Sequence, residues 1–277
     1  MIDIISTMKK HSYFTLLLTL LVPVALLGQQ RDIREVSPFT KIAFAIPGKL
    51  YIKQGSQQRV ELVGDPDIIR EVETRVNSGR LSISRESRFN RIFNNSDITV
   101  YITVPTLEGL RVSGSGDAIG EGVFKVREFD VAVSGSGSAV VEVVADEDVE
   151  ADLSGSGSLT IKGKFREFES DVSGSGKVTV DAEIYGTADL SLSGSGKIIA
   201  RGKAREVKAD ISGSGKVQAA ELQATRCRVR ISGSGDAQVY AKEELEADIG
   251  GSGSVSYAGD PRRVNSNTSG SGKVRKL

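Results

Sequence analysis

Two residues ahead of a recurring serine, the sequence places Asp152, Asp171, Asp210 and Asp248, interrupted by Ser191 and Arg230. Carboxylates are the groups that glycoside cleavage uses: one protonates the leaving oxygen and a second acts as base or nucleophile. That chemistry needs two acids in opposed environments, one held protonated and one ionised. Regular repetition gives each carboxylate similar surroundings, so the pattern predicts a solvated charged face, and carbohydrate cleavage on such a wall is only an alternative. Lys177, Lys197 and Lys216, four residues after the serine, are expected to offset the acidic stripe.

The stretches Ser113 to Asp117 and Ser232 to Asp236 read Ser-Gly-Ser-Gly-Asp, loosely like glycine-rich calcium repeats. Elsewhere the fifth residue is Ser or Lys, and a lysine there repels a cation, so no metal is expected. A phosphate cradle is not expected either, because no strand-glycine-helix unit occurs and no Lys-Ser or Lys-Thr follows the glycines. Cys227 lies five residues before Ser232, where other repeats carry Phe129, Val149, Phe168, Val207 and Leu245. It reads as a buried structural thiol. No cofactor and no enzymatic activity are expected.

The first residues narrow the chemistry further. Lys9, Lys10 and His11 precede an apolar run from Phe14 to Leu27 that ends at Gly28, Gln29 and Gln30. This reads as a signal peptide over residues 1–28, with Met8 as an alternative start and an uncleaved anchor as the alternative fate. Cleavage would remove His11, the only histidine, and with it Ser-His-Asp and Cys-His catalysis and His-ligated metals. The expectation is an exported protein in the periplasm, at the cell surface or in the medium, with no membrane span after cleavage.

These residues must be positioned by elements, and the elements are repeats. Ser113-Gly114, Ser134-Gly135, Ser154-Gly155, Ser173-Gly174, Ser193-Gly194, Ser212-Gly213, Ser232-Gly233 and Ser269-Gly270 each open a Ser-Gly-Ser-Gly tetrad, and Gly250 stands in for the serine before Gly251. The tetrads recur every 18 to 21 residues over 113–277. Such even spacing is the mark of a repeat architecture. Val178, Val180 and Ala182 alternate with Lys177, Thr179 and Asp181, and period two means strand with one face buried. With 31 glycines, 5% aromatic residues and no Trp, the core must be built of small aliphatics.

We therefore expect an all-β fold, a right-handed parallel β-helix (β-solenoid) with coils of about 20 residues. The tetrads would be structural corners. Glycine there permits a positive φ or close approach of two walls, and the serines would face outward in ladders whose hydroxyls can donate and accept. Equal numbers of acidic and basic residues, 36 each, argue against a nucleic-acid partner.

Residues 29–112 are less regular but also strand-rich. Phe39 to Ile46, Lys49 to Lys53, Arg59 to Val63, Leu81 to Ser84 and Ile98 to Val104 are candidate strands; Pro66 to Arg75 suggests a helical turn entering another strand, and Arg88 to Ser96 an exposed loop. Phe39-Thr40-Lys41-Ile42, Leu50-Tyr51-Ile52-Lys53-Gln54-Gly55, Gly79-Arg80-Leu81-Ser82-Ile83 and Thr99-Val100-Tyr101-Ile102-Thr103-Val104-Pro105, followed by Leu107 and the first tetrad, carry a resemblance. Together they resemble the head GIN domain family, exported bacterial β-helix proteins named "putative auto-transporter adhesins". The resemblance implies that residues 29–277 form one solenoid domain whose first coils come from 29–112. Up to Leu277 no membrane-barrel pattern is found, so self-transport is not expected.

The function expected is that of a non-enzymatic envelope protein binding a glycan or an envelope protein, with adhesion the form that the resemblance implies. The alternative is a self-assembling scaffold, a homo-oligomer stacked end to end; the basic residues of the terminal coil Lys273-Val274-Arg275-Lys276 read most economically as blocking such stacking by repulsion, and otherwise as docking an acidic partner.

Overall fold

The computed structural model describes residues 30–85 and 98–277. The expected signal peptide and the loop Arg88 to Ser96 lie outside the described residues. Of the described residues 75% are strand and 3% helix, wound into stacked coils of about 20 residues.

Each repeat gives one strand to each of two parallel stacks. In the inbound wall, which leads into the tetrads, Phe129–Gly135 pairs in parallel with Asp148–Gly155, Ser134 against Ser154. In the outbound wall, which leaves them, Ser138–Ala145 pairs with Ser158–Phe165, Ala139 against Leu159. The sequence repeat is thus the stacking register: a shift of one residue would turn every apolar side chain outward. Further along, the single strands Lys197–Gly213, Lys216–Gly233 and Asp236–Gly251 run through the far corner from one wall into the other.

The core lies between the walls. Val133, Leu153, Val172, Leu192 and Ile211 stack in one buried row, and Ala139, Leu159, Val178, Ile198 and Val217 in another. At the far corner Phe165 and Phe168 fill the wider space, ring centroids 5.5 Å apart. Each large side chain so buried contributes about 1.5–3 kcal/mol.

At the near corner the two tetrad glycines do different work. Gly174 has φ +115°, a left-handed conformation that turns the chain. Gly176 is buried, and a Cβ there would sit 2.7 Å from the carbonyl oxygen of Gly157 in the preceding coil. Backbone pairing continues around the bend: the amides of Ser136 and Gly137 both donate to the Gly114 carbonyl, at 2.8 and 2.9 Å.

The N-terminal part contains the expected strands, Lys41–Phe44, Lys49–Gln54, Arg59–Gly64, Arg80–Arg85 and Thr99–Val104. The helical turn is Pro66–Glu71, capped by Asp65, whose side chain accepts from the Asp67 amide, and it runs into Val72–Asn77. The order in space, however, is not the order in sequence. Leu81 pairs with Ile42, and Ile42 on its other side with Leu110; Val100 pairs with Leu50, and Leu50 with Ala118.

The strands Arg80–Arg85 and Thr99–Val104 are therefore outermost, Lys41–Phe44 and Lys49–Gln54 lie beneath them, and the chain crosses back over these to restart at Gly109. Three further strands pair antiparallel: Arg59–Gly64 with Thr99–Val104, Gln30–Ile33 with Arg59–Gly64, and Val72–Asn77 with Arg80–Arg85. Residues 29–112 thus supply two solenoid coils and an antiparallel border. Such a border ends the parallel repeat and covers strand edges that would otherwise template another chain.

Candidate functional site

The outer face of the inbound wall carries two neighbouring columns of polar side chains. In the column two residues before the serine, Asp152 pairs with Asp171, Asp171 with Ser191, Ser191 with Asp210, Asp210 with Arg230 and Arg230 with Asp248. The acids singled out by sequence are thus in line, each in the coil next to its neighbour in the column. The next column, four residues before the serine, stacks Asp130, Glu150, Glu169 and Asp189 in consecutive coils. Sequence reasoning missed this second column, although its period and parity were the same.

Together the columns make an acidic half of the wall. Burial, and then the charge of Asp152, push the Glu150 carboxyl above its usual range; burial, and then Asp171, do the same to Asp152. Burial likewise raises Asp189, with Lys208 opposing. Lys41 reaches Asp130 at 3.2 Å. In the following coils charges alternate instead: Arg226 pairs with Glu206 at 3.0 Å, Arg228 with Glu246 at 2.8 Å, and Arg263 with Glu244 at 3.1 Å.

Where the wall meets the near corner, a groove of about 800 Å³ runs across six coils, from Asp171 to Ser269. The first residues of the tetrads, Ser173, Ser193, Ser212, Ser232, Gly250 and Ser269, line one side, and Asp171, Ser191, Asp210, Arg230, Asp248 and Asn267 the other. Short side chains in both rows leave the space open. Among the described residues Arg230 has no hydrogen-bond or ion-pair partner, although Asp210 and Asp248 flank it in the ladder.

The remaining candidates fall elsewhere. Lys177, Lys197 and Lys216 stack on the outbound wall, around the corner from the acids; the ion pair formed there is Lys216 with Asp236 at 3.4 Å, so these lysines do not offset the stripe. Their distance in sequence from the acids hid the intervening bend. Asp117 and Asp236, the acids that suggested calcium, are occupied by the Ser138 hydroxyl, which donates to Asp117 at 2.5 Å, and by Lys216. Among the described residues no three His, Cys, Asp or Glu side chains are grouped to hold a metal.

The tetrad serines Ser134, Ser154, Ser173, Ser193, Ser212 and Ser232 are exposed and stacked in register. Their hydroxyls form no hydrogen bonds to one another, because a strand spacing of ~4.8 Å is too long for hydroxyls at equivalent positions to meet. They are free to bond something else. Cys227 is 2% exposed, and its thiol donates to the Tyr240 carbonyl at 3.1 Å. Burial, and secondly the charge of Glu206, push it up to about 12.

Residues 38–200 and 179–261 match the family described as "Putative auto-transporter adhesin, head GIN domain". No curated protein matches the chain. Among solved structures, it is similar to a protein of Parabacteroides distasonis described as a "putative lipid binding protein", with 25% identity over 90% of this chain and 97% of that one and a TM-score of 0.67. A "putative adhesin" of the same organism is 20% identical, with 90% and 97% covered and a TM-score of 0.63. Another, from Parabacteroides merdae, is 18% identical, with 90% and 96% covered and a TM-score of 0.59. Among the described residues no helix is long and apolar enough to cross a membrane.

Proposed function

Because the chain belongs to the head GIN domain family, we propose that it is an exported, non-enzymatic protein of the cell envelope that works by binding, its ligand lying along the groove of the inbound wall. The groove is the observation that carries this reading: about 800 Å³ of open space lined by unengaged serines and by Arg230. Parallel pairing holds its floor rigid from coil to coil, so little ordering entropy is lost on binding. The adhesin-like family supports a binding role.

The test is capture of envelope material by the purified exported protein, compared with a Ser212→Tyr variant that fills the groove from an exposed position. Capture by the wild type and its loss in the variant are expected; equal capture by both would remove the groove from the function. A lipid ligand is a second reading, favoured by the exposed Tyr101, Val123, Val140 and Val144. Flotation with liposomes would separate it from the first.

A further inference from the structure

We infer that the groove takes an extended, uncharged glycan lying along the solenoid axis, with Arg230 as its anchor. This rests on the binding role proposed for the groove and names its ligand class.

Shape is the first argument. Six coils line the groove, so it is roughly 24 Å long at ~4.8 Å per coil. About 800 Å³ spread over that length is a shallow trough, which suits a chain and not a compact molecule. The lining repeats once per coil, and a polymer of repeating units can meet it in the same way at successive steps.

The lining chemistry fits hydroxyls. Asp210, Arg230 and Asp248 follow one another along the axis and present acceptor, donor, acceptor. Sugar hydroxyls can both donate to the carboxylates and accept from the guanidinium. Val172, Leu192, Ile211, Ile231 and Ile249 also line the groove, but Leu192 and Ile211 are each only 2% exposed, so little of their side chains is open to a ligand.

Charge then narrows the class. Asp171, Asp210 and Asp248 face a single cation, Arg230, and the acidic columns of the same wall extend the negative field beyond the groove. Polyphosphates, sulfated glycans and polyuronates would meet three carboxylates against one guanidinium and are disfavoured. Arg230 differs from its neighbours on the same strand: Arg226 and Arg228 are engaged by Glu206 and Glu246, whereas the Arg230 guanidinium is unengaged and forms part of the lining.

Gly250 gives a notch beside this arginine. A Cβ at Gly250 would meet nothing nearer than the Ile231 carbonyl oxygen at 3.8 Å, so the fold does not require glycine there. Its missing side chain leaves room for a sugar ring next to Arg230.

The experiment is binding of the purified exported protein to neutral gluco-, manno- and xylo-oligosaccharides and to sulfated and uronate oligosaccharides, by calorimetry at low and physiological salt. Expected are binding of a neutral chain but not of the anionic ones, at least tenfold weakening in Arg230→Ala, and loss in Gly250→Tyr, with Lys177→Tyr on the outbound wall unchanged. Circular dichroism melts show that each variant is folded. Binding of anionic chains alone, or neutral binding insensitive to both groove variants, would overturn the inference. Envelope material captured through the groove with no neutral glycan bound would overturn it too, yet leave the binding role standing; capture of neither would sink both.

Discussion

Asp152 stands directly against Asp171, its in-register partner one coil further along the inbound wall. Like charges directly opposite one another across two strands are destabilising, and here Glu150 and Glu169 repeat the conflict in the next column. Burial and these neighbours raise the carboxyls of Glu150 and Asp152 above their unfolded values. The folded chain therefore holds more protons than the unfolded one just above the usual carboxylate range, and stability falls as pH rises through that window.

Neutralising the pair should reverse the effect. A Glu150→Gln, Asp152→Asn double variant is expected to be more stable at pH 7 by about 0.5–1 kcal/mol after solvent screening, with the gain smaller at about pH 4, in the usual carboxylate range, as the wild-type acids take up protons. Urea unfolding at both pH values measures it. A variant less stable than the wild type at pH 7 would show that the acids are engaged by cations after all.

Ser170 is fully buried on the core face of the inbound wall, between Ala151 and Leu190 in the ladder, and its hydroxyl has no hydrogen-bond partner. A buried hydroxyl without a partner costs about 1–3 kcal/mol relative to an apolar group of similar shape. Ser170→Ala should therefore raise the melting temperature, and Ser170→Val should cost stability, because the row is already filled. If Ser170→Ala lowers the melting point, the hydroxyl has a partner, such as a trapped water.

The second glycine of a tetrad is predicted to be intolerant and the first position tolerant. A Cβ on Gly196 would lie 2.8 Å from the Gly176 carbonyl oxygen, so Gly196→Ala must push two coils apart and should cost about 1–3 kcal/mol. Gly250→Ala places its methyl in open space and should change stability by less than about 0.5 kcal/mol. Equal costs at the two sites would mean that the corner is looser than the register indicates.

Legibility in the sequence followed the period. Val133, Leu153 and Val172 lie under their tetrads at intervals of 20 and 19 residues, and each is buried as that spacing requires. The acids one residue earlier, at the opposite parity, face outward for the same reason. The groove could not be read this way, since it depends on how two rows of short side chains meet at a bend, and that curvature has no one-dimensional signal. The crossing-over between Val104 and Gly109 was equally hidden: Ile42 has two partners, Leu81 and Leu110, both distant in sequence, and the strand pattern alone favours neither order.

Gln54 fixes that crossover. Its side-chain amide donates to the Pro105 carbonyl at 2.8 Å and to the Lys125 carbonyl at 3.2 Å, while its oxygen accepts from the Lys125 amide at 2.9 Å. One side chain thus joins the returning connection to the coil it passes over and to the coil beyond. Gln54→Ala removes all three bonds and should cost about 0.5–1.5 kcal/mol, the rest being recovered by water because the bonds are exposed. Gln54→Glu should cost more, because an ionised carboxylate cannot donate and would face two carbonyl oxygens. Native-state hydrogen exchange localises the effect: the Lys125 amide and its neighbours in Asp117–Val126 should exchange faster, while the tetrad amides of later coils such as Ser214 keep their protection. Unchanged exchange at Lys125 would mean that the connection is held by the ladder alone and that Gln54 only decorates it.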